Sequence, residues 1–177
     1  MLQTRRIQPP LPLTNVPSMS AFGYLLGLYG ENYERLYRLL GDVRNLRGDY
    51  HAVGPTTASA DPNAMSPDLW LNIIEQHRHT TILRLTHQFD GPVGVELDPL
   101  AWVRVYHDSE QAEVTHCHTS KQLKALFSMQ VPVLKVGLRR YRMNVFFNKW
   151  LEHLLLAGHV PSGFTSLTSN SDEQEPV

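Results

Sequence analysis

Three histidines, an aspartate and the only cysteine of the chain lie between His107 and His118, inside the run AWVRVYHDSEQAEVTHCH, residues 101–118. Cysteine and histidine are zinc ligands, usually four around a tetrahedral ion. A thiolate beside a base is a nucleophile. A neighbouring His107-Asp108 pair is of the type that moves protons. Each chemistry requires the side chains to share a face, so the register of the run decides among them.

The run reads as a β-hairpin. Alternation puts Ala101, Val103, Val105 and His107 on one face of its first strand, and Trp102, Arg104, Tyr106 and Asp108 on the other. On the return strand Ala112, Val114, His116 and His118 oppose Gln111, Glu113, Thr115 and Cys117. Asp108 to Gln111 is a polar turn cluster. The apolar pattern predicts Val105 opposite Val114, Val103 opposite His116, Ala101 opposite His118 and Trp102 opposite Cys117, with Arg104 diagonal to Glu113. That register sets Cys117 apart from both histidines. His116 and His118 then need a further ligand, His107 or His87, to hold a metal. The favoured reading is histidines at the edge of a core and Cys117 as a packing residue, while Asp108 holding its own turn explains that residue as well as an acid–base pair does. His107, Asp108, His116 and His118, with Asn144, remain the candidate polar site of a metal-dependent or acid–base hydrolase. No catalytic residue, metal or cofactor is expected. His77 and His79, in another turn, are expected to be solvated.

A second candidate chemistry is binding. From Glu113 to Glu152 no acid occurs, while Lys121, Lys124, Lys135, Arg139, Arg140, Arg142 and Lys149 supply cations. Such a stretch suits phosphate-bearing partners, and Tyr141 among the arginines is a stacking surface. A solvated or internally paired face explains the same charges and is the favoured reading. Trp102, Arg104 and Tyr106 mark the other exposed face.

The elements that position these residues follow from periodicity. Leu69–Gln76 and Thr80–Phe89 flank His77-Arg78-His79 as an earlier hairpin, pairing Ile73 with Leu83, Ile74 with Ile82, Leu71 with Leu85, Asn72 with Arg84 and Gln76 with Thr80. Turn signals at Asp90-Gly91-Pro92 and Asp98-Pro99 link the hairpins. Ser18 or Ser20 caps a short helix through Leu28. A second helix, Glu31 to Leu40, carries Tyr33, Leu36, Tyr37 and Leu40 as one stripe and stops at Gly41. Residues 54–67 read as a loop. Ser120 to Met129 reads as a short helix. Arg140 to Ala157 is the longest, with Met143, Phe146, Phe147, Trp150, Leu151, Leu154 and Leu155 facing a core and Gly158 past its end.

The chain of 177 residues suits one core, and 42% apolar residues are ordinary for a globular protein. A net charge of −1 marks no global nucleic-acid or membrane field. Cys117 has no intramolecular disulfide partner, which suits a reducing compartment. No apolar run reaches a membrane span, and prolines after Arg5-Arg6 argue against a signal peptide. Local phosphate-loop, Cys-x-x-Cys, His-Glu-x-x-His and Gly-x-Ser-x-Gly signatures are absent.

Three runs, IIEQHRHTTILRLTHQF, VRVYHDSEQAEVTHC and NVFFNKWLEHLLLAGH, with the helix YERLYRLLGD, resemble the YqiB-like family of small uncharacterised bacterial proteins, domain of unknown function 1249. The resemblance spans roughly Asn32 to His159. Its markers are Val103, Arg104, Tyr106, His107, Asp108, Ala112, Glu113 and Val114, then Asn144, Phe146, Trp150 and Leu151. The family has no assigned activity, so the resemblance implies a bacterial cytoplasmic protein. Ahead of the last helix, where the family is polar, this chain has the basic and apolar LKVGLRRYRMN and retains mainly Asn144.

The expectation is an α+β domain over residues 18–160: N-terminal helices, a four-stranded antiparallel β-meander, and a long C-terminal helix packed on one sheet face. A flexible Pro-rich segment (1–17) precedes it and a flexible acidic tail (161–177) follows. The expected role is a non-enzymatic interaction or regulatory protein whose partner, a protein or a nucleic acid, the sequence leaves open, with no membrane. The alternative is nucleic-acid or nucleotide binding through the basic 121–149 stretch, with Arg139, Arg140, Tyr141 and Arg142.

Overall fold

The computed structural model describes residues 21–55, 67–91, 94–119 and 138–167. It is an α+β structure in which two long helices cover one face of an antiparallel sheet. The strands are β1 (Asp49–Ala52), β2 (Leu69–Gln76), β3 (Thr80–Gly91), β4 (Gly94–Tyr106), β5 (Gln111–His118) and β6 (Phe164–Ser166). Their order across the sheet is β5-β4-β3-β2-β1-β6. The described sheet thus has six strands where the hydrophobic pattern predicts four. β1 and β6 have four and three residues, too few for alternation to register. β6 lies in the stretch that composition assigns to the tail. The predicted helix from Ser120 to Met129 lies outside the described residues, as do Ser18 and Ser20.

Helix α1 (Ala21–Leu40) runs without a break through Gly27 and Gly30, where two helices were expected. Glycine inside a helix costs about 1 kcal/mol relative to alanine. Burial of Tyr29, Asn32, Leu36, Leu39 and Leu40 on one stripe offsets that cost. Tyr37, expected on the stripe, is exposed instead. Gly41 ends the helix at φ 74°. Helix α2 (Leu138–Leu156) buries Phe146, Phe147, Trp150, Leu151 and Leu154, as its periodicity predicts. Beyond it Gly158 takes φ 99°, and the amides of Gly158 and His159 donate to Leu155 and Leu154, a closing pattern that favours glycine.

The core lies between the helices and the sheet, where Leu71, Leu83, Leu85, Ala101, Val103, Val105, Ala112 and Val114 meet the two helical stripes. Bulges alter the predicted registers. In the β2–β3 hairpin, Leu71–Leu85, Asn72–Arg84 and Ile73–Leu83 pair as expected across a loop of residues 77–79. A shift after Ile73 then sets Glu75 opposite Ile82 and Gln76 opposite Thr81, in place of Ile74–Ile82 and Gln76–Thr80. β3 and β4 also extend through the predicted linker, to Gly91 and from Gly94.

In the β4–β5 hairpin Val105 pairs with Ala112, Val103 with Val114 and Arg104 directly with Glu113, two residues from the predicted register. Thr115 is then the extra residue of a bulge, and Trp102 meets His116, Ala101 meets Cys117 and Leu100 meets His118. A bulge moves every later side chain to the opposite face. Cys117 therefore packs against the core, while His116 and His118 are exposed on the other side.

The outer edge of β5 is covered by buried amides. Asn144 Oδ1 accepts from the Val114 N–H at 2.8 Å, and its Nδ2 donates to the Val114 carbonyl at 3.3 Å and the Arg140 carbonyl at 2.9 Å. Asn32 Nδ2 donates to the Ala112 carbonyl at 3.4 Å and to Asn144 Oδ1 at 3.3 Å. The Asn144 side chain presents a donor and an acceptor to Val114 much as a neighbouring strand would. This satisfies backbone groups that an edge strand otherwise leaves bare.

Candidate functional site

The predicted polar cluster is dispersed. His107 is buried on the core face, with Nε2 2.8 Å from Thr81 Oγ1. Burial holds its pKa below the ordinary histidine value, with the Arg44 charge acting in the same direction. Asp108 pairs with His79 Nδ1 at 2.6 Å rather than with His107, and both side chains of that pair remain exposed at the turns. His77 lies 3.2 Å from Glu75. His116 and His118 are on the opposite sheet face from His107, and Asn144 is engaged with the β5 backbone.

His87 is no spare ligand either. Its Nδ1 bonds the Asp68 carbonyl at 2.9 Å and its Nε2 faces the Trp150 indole N–H at 3.3 Å. A carbonyl only accepts and an indole N–H only donates. The ring is thus neutral, with its hydrogen on Nδ1. Burial pushes its pKa down to about 4. Among the described residues, no three His, Cys, Asp or Glu side chains are grouped to hold a metal ion.

The side chains that do converge stand on the sheet face away from the described helices. Alternation in β2, β3 and β4 buries Leu71, Leu83 and Val103 and turns Trp70, Asn72, Ile82, Arg84, Trp102, Arg104 and Tyr106 the other way, all half-buried. Cross-strand hydrogen bonds order this face. Asn72 Nδ2 donates to Asp49 Oδ1 at 2.8 Å, and Arg84 Nε donates to Asn72 Oδ1 at 2.9 Å. A relay over β1, β2 and β3 therefore orients the Arg84 guanidinium through its Nε, leaving its terminal N–H groups outside the relay. Among the described residues no carboxylate lies within ion-pair distance of Arg84. Trp102 is its direct partner on β4.

Two groups flank that centre. On one side Trp70 stacks on His51, ring centroids 4.3 Å apart. His51 Nε2 is 2.9 Å from Asp68 Oδ2, while the Gly54 N–H donates to Asp68 Oδ1 at 2.9 Å. The Gly54 amide foremost, with His51, holds the Asp68 carboxyl below its usual range. On the other side the Tyr106 hydroxyl donates to Glu113 Oε1 at 3.2 Å. Tyr106 raises the pKa of Arg104, with Glu113 and Glu75 adding to the effect. Burial and the Glu113 charge push Tyr29, at the helix border of this group, up to about 12; Arg140 opposes that shift.

Trp102, Arg104 and Tyr106 thus share one face, as alternation predicts. Arg139, Arg140 and Arg142 are exposed at the start of α2, with Tyr141 half-buried beside them. Lys121, Lys124 and Lys135 lie outside the described residues. Trp70 and Arg84 were missed as site residues. The signal was present: in LWLNI and ILRLT a tryptophan and an arginine occupy the positions that alternate with buried leucines.

These contacts fix the orientation of Arg84, Trp70 and Tyr106 on the sheet face. No helix among the described residues is long and apolar enough to cross a membrane. The family described as a protein of unknown function, DUF1249, matches residues 35–160. No curated protein and no solved structure matches the chain.

Proposed function

The chain belongs to the DUF1249 family, whose function is unknown, and from that premise we propose that it is a non-enzymatic binding domain whose recognition surface is the sheet face away from the described helices. The observation that carries this reading is the Asp49-Asn72-Arg84 relay. It orients a guanidinium beside Trp102 on a half-exposed face. A hydrogen-bonded arginine loses less freedom when it meets an anion than a free one does. Indole and phenol rings at Trp70, Trp102 and Tyr106 add contact area of the kind found at binding hot spots. A bacterial cytoplasmic setting is part of the same proposal, supported by the family resemblance and by the lone cysteine.

Fluorescence tests whether this face is open. Trp70 and Trp102 are half-buried, whereas Trp150 is 2% exposed. Acrylamide is expected to quench the wild type well and the W70F/W102F variant poorly, because only Trp150 emits there. Equal quenching of the two proteins means that the face is covered, and the reading fails.

A further inference from the structure

We infer that the ligand of this face is single-stranded nucleic acid, an inference that rests on reading the face as the recognition surface. Trp70 stands on β2 and Trp102 on β4, with Arg84 on the strand between them. Two strand spacings set the indoles about 10 Å apart across the sheet. They are also offset along it, since Trp70 pairs with Thr86 and Trp102 with Arg84. The order across the face is ring, cation, ring. A single strand repeats a planar base and an anionic phosphate in the same alternation. One base stacks on each indole while the intervening phosphate meets the terminal N–H groups of Arg84.

The competing ligands match less of this face. An acidic peptide supplies carboxylates for Arg84 but no planar group for each indole. A duplex keeps the faces of its bases stacked inside, out of reach of side chains standing on a sheet. Glu113 lies beside Arg104 and Tyr106 and offsets the positive charge there. The phosphate path therefore centres on Arg84. The exposed Arg140, whose charge reaches Tyr29 at the helix border, offers a second cation where the strand leaves the face.

The test is fluorescence anisotropy of the full chain with labelled oligouridylate and oligothymidylate, a duplex, and an aspartate- and glutamate-rich peptide. Either single strand is expected to bind, more tightly than the duplex, and to weaken about three- to sevenfold between 50 and 200 mM salt for one or two phosphate contacts. A difference between the two single strands reports on the ribose 2′-hydroxyl. W102A and W70A are each expected to weaken binding about tenfold. R84Q is expected to weaken it and to flatten the salt dependence, with R84K restoring the salt dependence more than the affinity. R38Q, on the exposed surface of α1, is expected to bind as the wild type does. Urea midpoints confirm that each variant is folded. No single-strand binding, equal binding of duplex, or binding indifferent to W70A and W102A overturns the inference. If acrylamide reaches Trp70 and Trp102 and only the acidic peptide binds, the nucleic-acid inference falls while the recognition face stands. If acrylamide does not reach them, both fall.

Discussion

Replacing Asn144 with leucine is expected to lower unfolding stability by about 3 kcal/mol, because it strips the donor and acceptor that complete the edge of β5. The Asn144 amide makes four hydrogen bonds: with the Val114 N–H, the Val114 carbonyl, the Arg140 carbonyl and the Asn32 amide. Leucine matches its size and offers none of them. Buried polar groups left without partners cost about 1–3 kcal/mol each, and relaxation recovers part of that loss. The damage extends past the mutated side chain, because Asn32 loses one of its two acceptors. Asn144→Asp keeps the acceptor for Val114 and loses both donor bonds, so its loss is also expected to be large. Urea unfolding at neutral pH reads the effect as a shifted midpoint at unchanged slope. A loss under about 1 kcal/mol for Asn144→Leu would mean that the amide does not stand in for a strand.

The second large effect is a loss of stability in acid set by His87. Its pKa of about 4 in the folded protein lies below the ordinary 6.5. Between those values the unfolded chain binds a proton that the folded chain refuses, so stability rises with pH there. The contribution is fully present above about pH 6.5. It disappears as pH falls through 4, a loss of about 3 kcal/mol at about 1.4 kcal/mol per unit. The physical event is loss of the Nε2 lone pair that faces the Trp150 indole, at the junction of β3 with α2. Burial lowers His107 and His159 in the same direction and steepens the profile. Urea unfolding from pH 7 to 4 is expected to show the slope, and His87→Gln to flatten it. Parallel profiles for the two proteins would assign the acid sensitivity to other groups.

What could be read from the letters depended on whether a pattern was long and unbroken. The α2 stripe from Met143 to Leu155 carries its period through the whole helix, and its packing follows from spacing alone. Leu71, Leu85, Asn72 and Arg84 found their partners because the shift after Ile73 returns the strands to the register that their apolar alternation demands, whereas the pairs beside the loop differ from it. The hairpin from Ala101 to His118 was harder. Separation of Cys117 from His116 and His118 was right, but their faces were exchanged by the bulge at Thr115. Its trace was there, since Ala112, Val114 and Cys117 break the period of two after Val114. The candidate site was half visible for a related reason. Trp102, Arg104 and Tyr106 lie on one strand and alternate visibly. The relay that orients Arg84 needs Asp49 on β1, a strand too short to announce itself, so no reading of β2 and β3 alone could assemble it.

The three tryptophans give the most direct test of a recognition surface on the sheet face away from the described helices. In a proton–nitrogen correlation spectrum each indole N–H is a separate signal. Titration with single-stranded oligouridylate is expected to shift the Trp70 and Trp102 signals and the side-chain signals of Arg84. The Trp150 indole, buried and bound to His87, is expected to stay in place. Shifts confined to the helix surfaces, with the Trp70 and Trp102 indoles unmoved at saturation, would contradict the account.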